Sequence, residues 1–90
     1  MSSTPVRLHP HAVARIAERG ATEAEVVATV QADLRVSAAH GRTGFRLDHP
    51  GSWTWRGRAF DSKEVTAYAV WEDEGWLVIT VIVRFQGRRA

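Results

Sequence analysis

The spacing of hydrophobic and polar residues changes once along the chain, near residue 33. Up to that point, apolar residues recur three and four positions apart, which predicts two amphipathic helices. The apolar stripes are Ala12, Val13, Ile16 and Ala17 in the first helix and Val26, Val27 and Val30 in the second. Beyond Asp33, apolar and polar residues alternate in short runs, which is the period of a strand. The chain therefore combines an N-terminal helical part with a C-terminal part built of strands.

Local signals place the ends of the helices. Pro10 suits the first turn of a helix, because its φ is already helical and its missing N–H would have no partner there. Gly20 suits the left-handed position that ends a helix, so the first helix is predicted over residues 10–19. The sequence "TEAE" is a capping box in which Thr22 begins the second helix and Glu25 reaches back. Because so few residues join them, the two helices are expected to form a helical hairpin.

Four segments have the alternation or the β-branched content of strands. They are "LRVSA" (34–38), "FRLDH" (45–49), "VTAYAVWE" (65–72) and "WLVITVIVRF" (76–85). The first two predict a hairpin around "HGRTG", and "DEG" predicts a tight turn between the last two. Two further segments are less decided: "VRL" (6–8) fits a short extended piece, and "WTWRGRAFDSKE" (53–64) fits either a strand or a loop.

These elements predict an α+β fold in which an N-terminal helical hairpin packs on one face of a three- to four-stranded antiparallel sheet. One domain is expected over residues 1–90, with a core at about 8–85 and loose ends, "MSSTP" and "QGRRA". In the last strand, the side predicted to lie under the helices carries Leu77, Ile79, Val81, Val83 and Phe85. The opposite side carries Trp76, Val78, Thr80, Ile82 and Arg84.

Composition narrows the class of protein. The chain is 44% hydrophobic and has no cysteine, so we expect a folded domain without disulfides or thiolate metal sites. The histidines lack the spacing of a zinc site, and neither a metal nor another cofactor is expected. No apolar run approaches the roughly 18 residues of a membrane span, and the N-terminus lacks the apolar core of a secretory signal. We therefore expect a cytoplasmic protein.

The first helix carries the sharpest candidate chemistry. His11, Arg15 and Arg19 lie one helical turn apart, so all three side chains can reach one spot. A histidine can move a proton near neutral pH, and arginines can neutralise the charge of a phosphorane. Cleavage of RNA by its own 2′-hydroxyl needs only such groups and no metal. The alternative is an ordinary solvated helix face.

A second set of residues has the composition of a surface that binds single-stranded nucleic acid. On the last strand, Arg84 could contact phosphate and Trp76 could stack on a base, with Thr80 between them, and Tyr68 shares their face if the strands pair in register. The basic members of the set are Arg42, Arg46, Arg56 and Arg58, interleaved with Trp53 and Trp55. The alternative is that the aromatic residues cover the core and the arginines are simply solvated.

The stretch "HAVARIAERGATEAEV" (11–26) resembles the signature of a bacterial family of small domains of unknown function, which is similar to the RelE/ParE-like toxin superfamily. The signature has a His-Ala pair, an Arg four residues later, a second Arg followed by Gly, and a Thr or Ser helix start. The resemblance implies a helical hairpin on a small antiparallel sheet and, in some relatives, metal-independent ribonuclease activity controlled by an antitoxin or immunity protein. It places the family's His at His11, its helix arginines at Arg15 and Arg19, and its C-terminal basic position at Arg84. RelE-type ribonucleases also use several lysines and arginines around a late tyrosine, whereas here Lys63 is the only lysine and no tyrosine follows Tyr68.

Two functions follow as hypotheses. The first is an RNA-cleaving toxin domain, an endoribonuclease acting on RNA that is free or on the ribosome, and covered by an acidic antitoxin or an immunity protein. The second is a non-catalytic module of the same fold that contacts nucleic acid or a partner protein; a small regulatory or immunity protein is a third. Convergence of His11 and Arg84 on one phosphate-sized spot would favour catalysis, and their separation would favour binding.

Overall fold

The computed structural model describes residues 4–88, which form two helices and one five-stranded sheet. The elements are β1 (Val6–Leu8), α1 (Pro10–Arg19), α2 (Glu23–Gln31), β2 (Arg35–Val36), β3 (Thr43–Trp55), β4 (Arg58–Glu72) and β5 (Gly75–Arg88). The strand order is β1-β5-β4-β3-β2. β1 runs parallel to β5, and every other pair is antiparallel. No helix in the described part of the chain is long and apolar enough to cross a membrane.

The predicted fold class is wrong in its sheet and in its helical hairpin. The sheet has five strands, is mixed rather than antiparallel, and curls into a half-barrel. It is larger than predicted because the undecided segment 53–64 is strand on both sides of a tight turn at Arg56 and Gly57, which both have positive φ. It is mixed because "VRL" pairs with β5. Each helix packs on the sheet rather than on the other helix.

The predicted helix ends are confirmed, because they depend on local chemistry. α1 spans residues 10–19, and Gly20 follows in the left-handed conformation with φ of 80°. α2 follows the capping box: the Thr22 side chain accepts from the backbone N–H of Glu25, and the Glu25 carboxylate accepts from the backbone N–H of Thr22.

The predicted loose ends are only partly within the described residues. Strand β5 continues through residues 86–88, so the beginning of "QGRRA" is ordered strand. At the other end, the Pro5 carbonyl accepts a hydrogen bond from the backbone N–H of Trp76 at 2.9 Å. Residues 1–3, 89 and 90 lie outside the described range.

The core lies between the helices and the concave face of the sheet. Its fully buried members include Phe45, Val65 and Val81 from the strands and Ala12 and Val26 from the helices. The predicted stripe of α1 is only half right. Ala12 and Ile16 are buried, whereas Val13 and Ala17 are exposed.

A bulge in β5 overturns the predicted alternation of that strand. Tyr68 pairs with Thr80, but the next residue, Ala69, pairs with Val78, so Ile79 is an extra residue. Val78 is therefore fully buried in the core, and Trp76 packs against that core. The predicted positions of Trp76, Val78 and Leu77 are wrong because one unpaired residue moves everything before it to the other face.

A buried lysine joins the helices to the sheet. The Lys63 ammonium lies 2.7 Å from the Glu25 carboxylate, donates to the Gly20 carbonyl at 2.9 Å, and lies 3.9 Å from the centre of the Trp53 ring. Burial raises the pKa of the Glu25 carboxyl, but the hydrogen bonds from Lys63 and Thr22 and the Lys63 charge outweigh it, so this pKa is lowered. One side chain thus fixes the end of α1 and the start of α2 against β4.

The curl of the sheet brings the β3–β4 hairpin back to α1. Trp55 stacks on Phe85, with ring centres 5.4 Å apart. A Cβ atom at Gly20 would lie 2.7 Å from the Trp55 ring. The left-handed glycine that ends α1 therefore also allows the tip of the hairpin to reach the helix.

Candidate nucleic-acid interface

The main candidate site is a cleft between α1 and β5, which we call the α1 cleft. It has a volume of about 480 Å³ and is lined by His9, His11, Arg15, Arg19, Ile79 and Thr80. The helical residues line it together because three of them follow one another at four-residue intervals on one side of α1. β1 pairs with β5 only as far as Val78, so the bulge at Ile79 lies where that edge of the sheet opens.

Two histidines stand together at the start of α1. His9 is the N-cap residue, and its Nδ1 accepts a hydrogen bond from the backbone N–H of His11 at 3.1 Å. The two imidazole rings stack, with centres 5.0 Å apart and planes within 4°. Because Nδ1 of His9 accepts, its neutral ring carries the proton on Nε2. The cap thus orients His9, and the exposed His11 ring lies against it.

The two arginines of the cleft differ in how firmly their contacts hold them. The Arg19 guanidinium donates to the Val81 carbonyl on the open edge of β5, which holds it against the sheet. The Arg15 side chain is 60% exposed and pairs with Glu18 at 3.7 Å, a surface interaction that is weak and easily exchanged. Arg15 can therefore turn to an incoming ligand, while Arg19 presents a fixed charge.

The electrostatics of the α1 cleft favour an anion. None of the described residues that line it is acidic, and the first turn of α1 contains no acidic residue. The positive end of the helix dipole adds to the positive potential. A phosphate group has the charge and the hydrogen-bond acceptors that this surface lacks.

A second depression, which we call the loop cavity, lies on the other side of Thr80. Its volume is about 600 Å³, and it is lined by residues 37–40, Arg42, Tyr68 and Thr80. A turn shapes its wall: His40 and Gly41 have positive φ, and the Arg42 N–H donates to the Ala39 carbonyl at 3.2 Å. Thr80 lines both depressions, so the loop cavity and the α1 cleft are adjacent.

A third depression continues the α1 cleft in the opposite direction. Its volume is about 360 Å³, and its lining includes Arg19, Trp55 and Arg56. Arg19 belongs to both. Three depressions thus follow one another along α1 and β5, with Arg19 and Thr80 at their junctions.

The structure brings together many of the residues singled out from the sequence. His11, Arg15, Arg19 and Thr80 share the α1 cleft. The register pairs Tyr68 directly with Thr80, which is the condition under which the two were expected to share a face. The remaining members of the grouping are Arg42 in the loop cavity and Arg56 in the third depression.

Other predicted residues lie elsewhere. Arg84 pairs in register with Glu64 and lines none of the three depressions. Arg46 donates to Thr66 and lies 3.6 Å from the Glu64 carboxylate, so its guanidinium has partners within the sheet. Trp76 makes edge contacts with Phe45 and Trp71 instead of facing Thr80.

The tip of the β3–β4 hairpin holds the rest of the basic set. Arg58 is exposed beside the turn, and Arg56 lies over the Trp55 ring at 5.5 Å. Trp53 and Trp55 are partly buried against Lys63 and Phe85. Each indole ring therefore already has a partner within the domain, while Trp55 also lines the third depression.

Sequence reasoning missed two histidines of the site, His9 and His40. The signal for His9 was its place before Pro10, which makes it the N-cap of α1. The signal for His40 was "HGRTG", whose glycine and neighbours predicted the turn that now forms a wall of the loop cavity. Within residues 4–88, no three histidine or acidic side chains are grouped so that they could hold a metal ion.

Comparison of the chain with protein-family models, with curated proteins and with solved structures finds no match. The resemblance of the first helix to a toxin family therefore stays a prediction.

Proposed function

We propose that this domain binds single-stranded RNA, with a backbone phosphate in the α1 cleft. The observation that carries the proposal is the convergence of four nitrogen-bearing side chains, His9, His11, Arg15 and Arg19, on a cleft whose described lining contains no acidic residue. Backbone phosphates supply most of the affinity in such interfaces, through arginine and lysine contacts. The separate position of Arg84 favours binding over the four-residue catalytic arrangement.

Cleavage of the bound RNA is the second candidate function. His11 is exposed in the same cleft as Arg15 and Arg19, so a proton acceptor would lie beside a bound phosphodiester. The 2′-hydroxyl would lose its proton to His11 and attack the adjacent phosphorus. The bond to the 5′-oxygen would then break, leaving a 2′,3′-cyclic phosphate and a 5′-hydroxyl after that oxygen takes up a proton.

Binding is tested by fluorescence polarisation of a labelled single-stranded RNA in EDTA at several salt concentrations. We expect log Kd to rise with log salt, and Arg15→Gln to weaken binding and reduce that slope by about 0.7, the value of one phosphate contact on a single strand. Arg7→Gln is the matched control, because Arg7 is also exposed but pairs with Glu72 and Asp73 at the far turn. Equal effects of the two substitutions would contradict the proposal.

Cleavage is tested on the same mixtures by resolving the RNA on a denaturing gel. Products that end in a 2′,3′-cyclic phosphate and disappear with His11→Ala would support the enzyme. Intact RNA at a protein concentration that saturates binding would leave the domain as a binding module only.

A further inference from the structure

The loop cavity has the features of a subsite for a nucleobase. We infer that it holds the base of the nucleotide whose phosphate occupies the α1 cleft, an inference that rests on the proposed function and names the ligand as a nucleoside phosphate. Its volume of about 600 Å³ lies within the range of about 300–1,000 Å³ for small-molecule sites.

Tyr68 provides an aromatic surface in the cavity. Its ring lies across Gly44: a Cβ at Gly44 would be 3.2 Å from the Tyr68 Cε1 atom. The ring is only partly buried, and it lines the cavity beside the small side chains of Ala38 and Ala39. A planar base can stack on such a ring whatever its identity, because every base has a π-face.

Polar groups surround this apolar surface on two sides. His40 and Arg42 are exposed on the loop, where they can donate to the edge of a base, and Thr80 stands at the junction with the α1 cleft. A ligand that fills both depressions must therefore join a planar ring to an anionic group across the width of one residue. A nucleotide has that construction, whereas inorganic phosphate or a sugar phosphate fills only the α1 cleft.

The test uses the ring resonances of Tyr68. Because this is the only tyrosine of the 90 residues, selective isotope labelling of tyrosine identifies these resonances by NMR without further assignment. The probes are a nucleoside 5′-monophosphate, ribose 5-phosphate and inorganic phosphate. We expect the nucleotide to shift the Tyr68 resonances and to bind about tenfold more tightly than ribose 5-phosphate, the usual effect of one stacked base. The other two probes should leave these resonances in place.

Three variants separate a base subsite from general electrostatic binding. Tyr68→Leu and Ala39→Leu, which remove the ring and fill the cavity respectively, should each lower nucleotide affinity about tenfold without changing ribose 5-phosphate affinity. Tyr68→Phe keeps the ring and should keep the affinity. Equal affinity of the wild-type domain for nucleotide and ribose 5-phosphate, or no effect of either leucine variant, would overturn the inference while the proposed function stands. Failure of every probe and of RNA itself to bind would overturn both.

Discussion

Replacement of the buried lysine tests the stability argument most directly. Lys63→Met removes the ammonium but keeps an unbranched apolar chain of similar length in a position that is 3% exposed. Three contacts of the ammonium are lost, those to the Glu25 carboxylate, to the Gly20 carbonyl and to the Trp53 ring. The Glu25 side chain, itself only 13% exposed, then loses its countercharge.

The expected cost is about 3 kcal/mol. Removing one partner of a buried ion pair costs about 3–5 kcal/mol, chiefly because the other charge stays buried and unpaired. The value should lie at the lower end, because Glu25 keeps its hydrogen bond from the Thr22 N–H and methionine adds apolar burial. Domains of this size are stabilised by about 5–15 kcal/mol, so the variant should fold but be markedly weaker.

The assay is urea unfolding followed by tryptophan fluorescence. With a slope of about 1.5 kcal/mol/M, a loss of 3 kcal/mol moves the midpoint by about 2 M. Glu18→Gln serves as the control, because it breaks an exposed pair with Arg15 that is worth less than about 1 kcal/mol. The double variant Lys63→Met, Glu25→Gln should recover part of the loss, since no unpaired charge remains and glutamine can still complete the capping box. A Lys63→Met cost no larger than that of Glu18→Gln would refute the reasoning.

Three further predictions concern pH, the first helix and its end. Folding lowers the pKa of the Glu25 carboxyl. The stabilisation from this carboxylate is therefore complete above the unfolded pKa of about 4.5 and is lost as pH falls through the folded pKa. The urea midpoint of the wild type should fall more steeply below pH 4.5 than that of Glu25→Gln. His9→Ala removes the N-cap acceptor and should cost about 1 kcal/mol in the same assay, whereas His9→Asn, which keeps a good capping group, should cost much less; equal losses would contradict the capping role. Gly20→Ala combines an unfavourable backbone, at φ of 80°, with a Cβ only 2.7 Å from the Trp55 ring, whereas Gly57→Ala has a similar φ of 77° and open space around it. Both should lose about 1 kcal/mol from the backbone, and Gly20→Ala should lose at least about 1 kcal/mol more from the contact, as measured by thermal unfolding.

The parts of the fold that depend on neighbouring residues could be predicted from the sequence. Pro10, Gly20 and the Thr22–Glu25 box act within one or two helical turns, so their chemistry is visible in a short window. The strand signal of residues 65–72 and the turn at Asp73 and Glu74 are equally local, and both the strand and the turn are present in the structure.

The parts that depend on distant pairing could not be predicted. Nothing in "VRL" indicates that it pairs with β5 in parallel, since that contact joins residues seventy positions apart. No residue in the largely apolar segment "WLVITVIVRF" indicates a β-bulge. The extra residue Ile79 nevertheless decides which face of the sheet Trp76 occupies. The segment 53–64 carries arginine and glycine in a two-residue turn, which has the same composition as a loop.

In the candidate site, too, the local features could be predicted from the sequence and the distant contacts could not. The spacing of His11, Arg15 and Arg19 on one helix side is a local property, and the structure places all three in one cleft. The position of Arg84 depends on strand pairing across the sheet, and there the prediction of a shared spot with His11 finds no support. Thr80 lines the α1 cleft because it lies on the edge of β5 that faces α1. The packing of the helix against this edge could not be predicted from the sequence.

The burial of Lys63 also protects the lysine side chain of the folded domain from acylating reagents. These 90 residues contain no other lysine, and this one is 3% exposed with its ammonium engaged by a carboxylate and a carbonyl. Acylation at this position therefore requires the sheet and helices to separate first. The rate of Lys63 acylation would therefore report how often the native state opens, so this single lysine can serve as a covalent probe of unfolding.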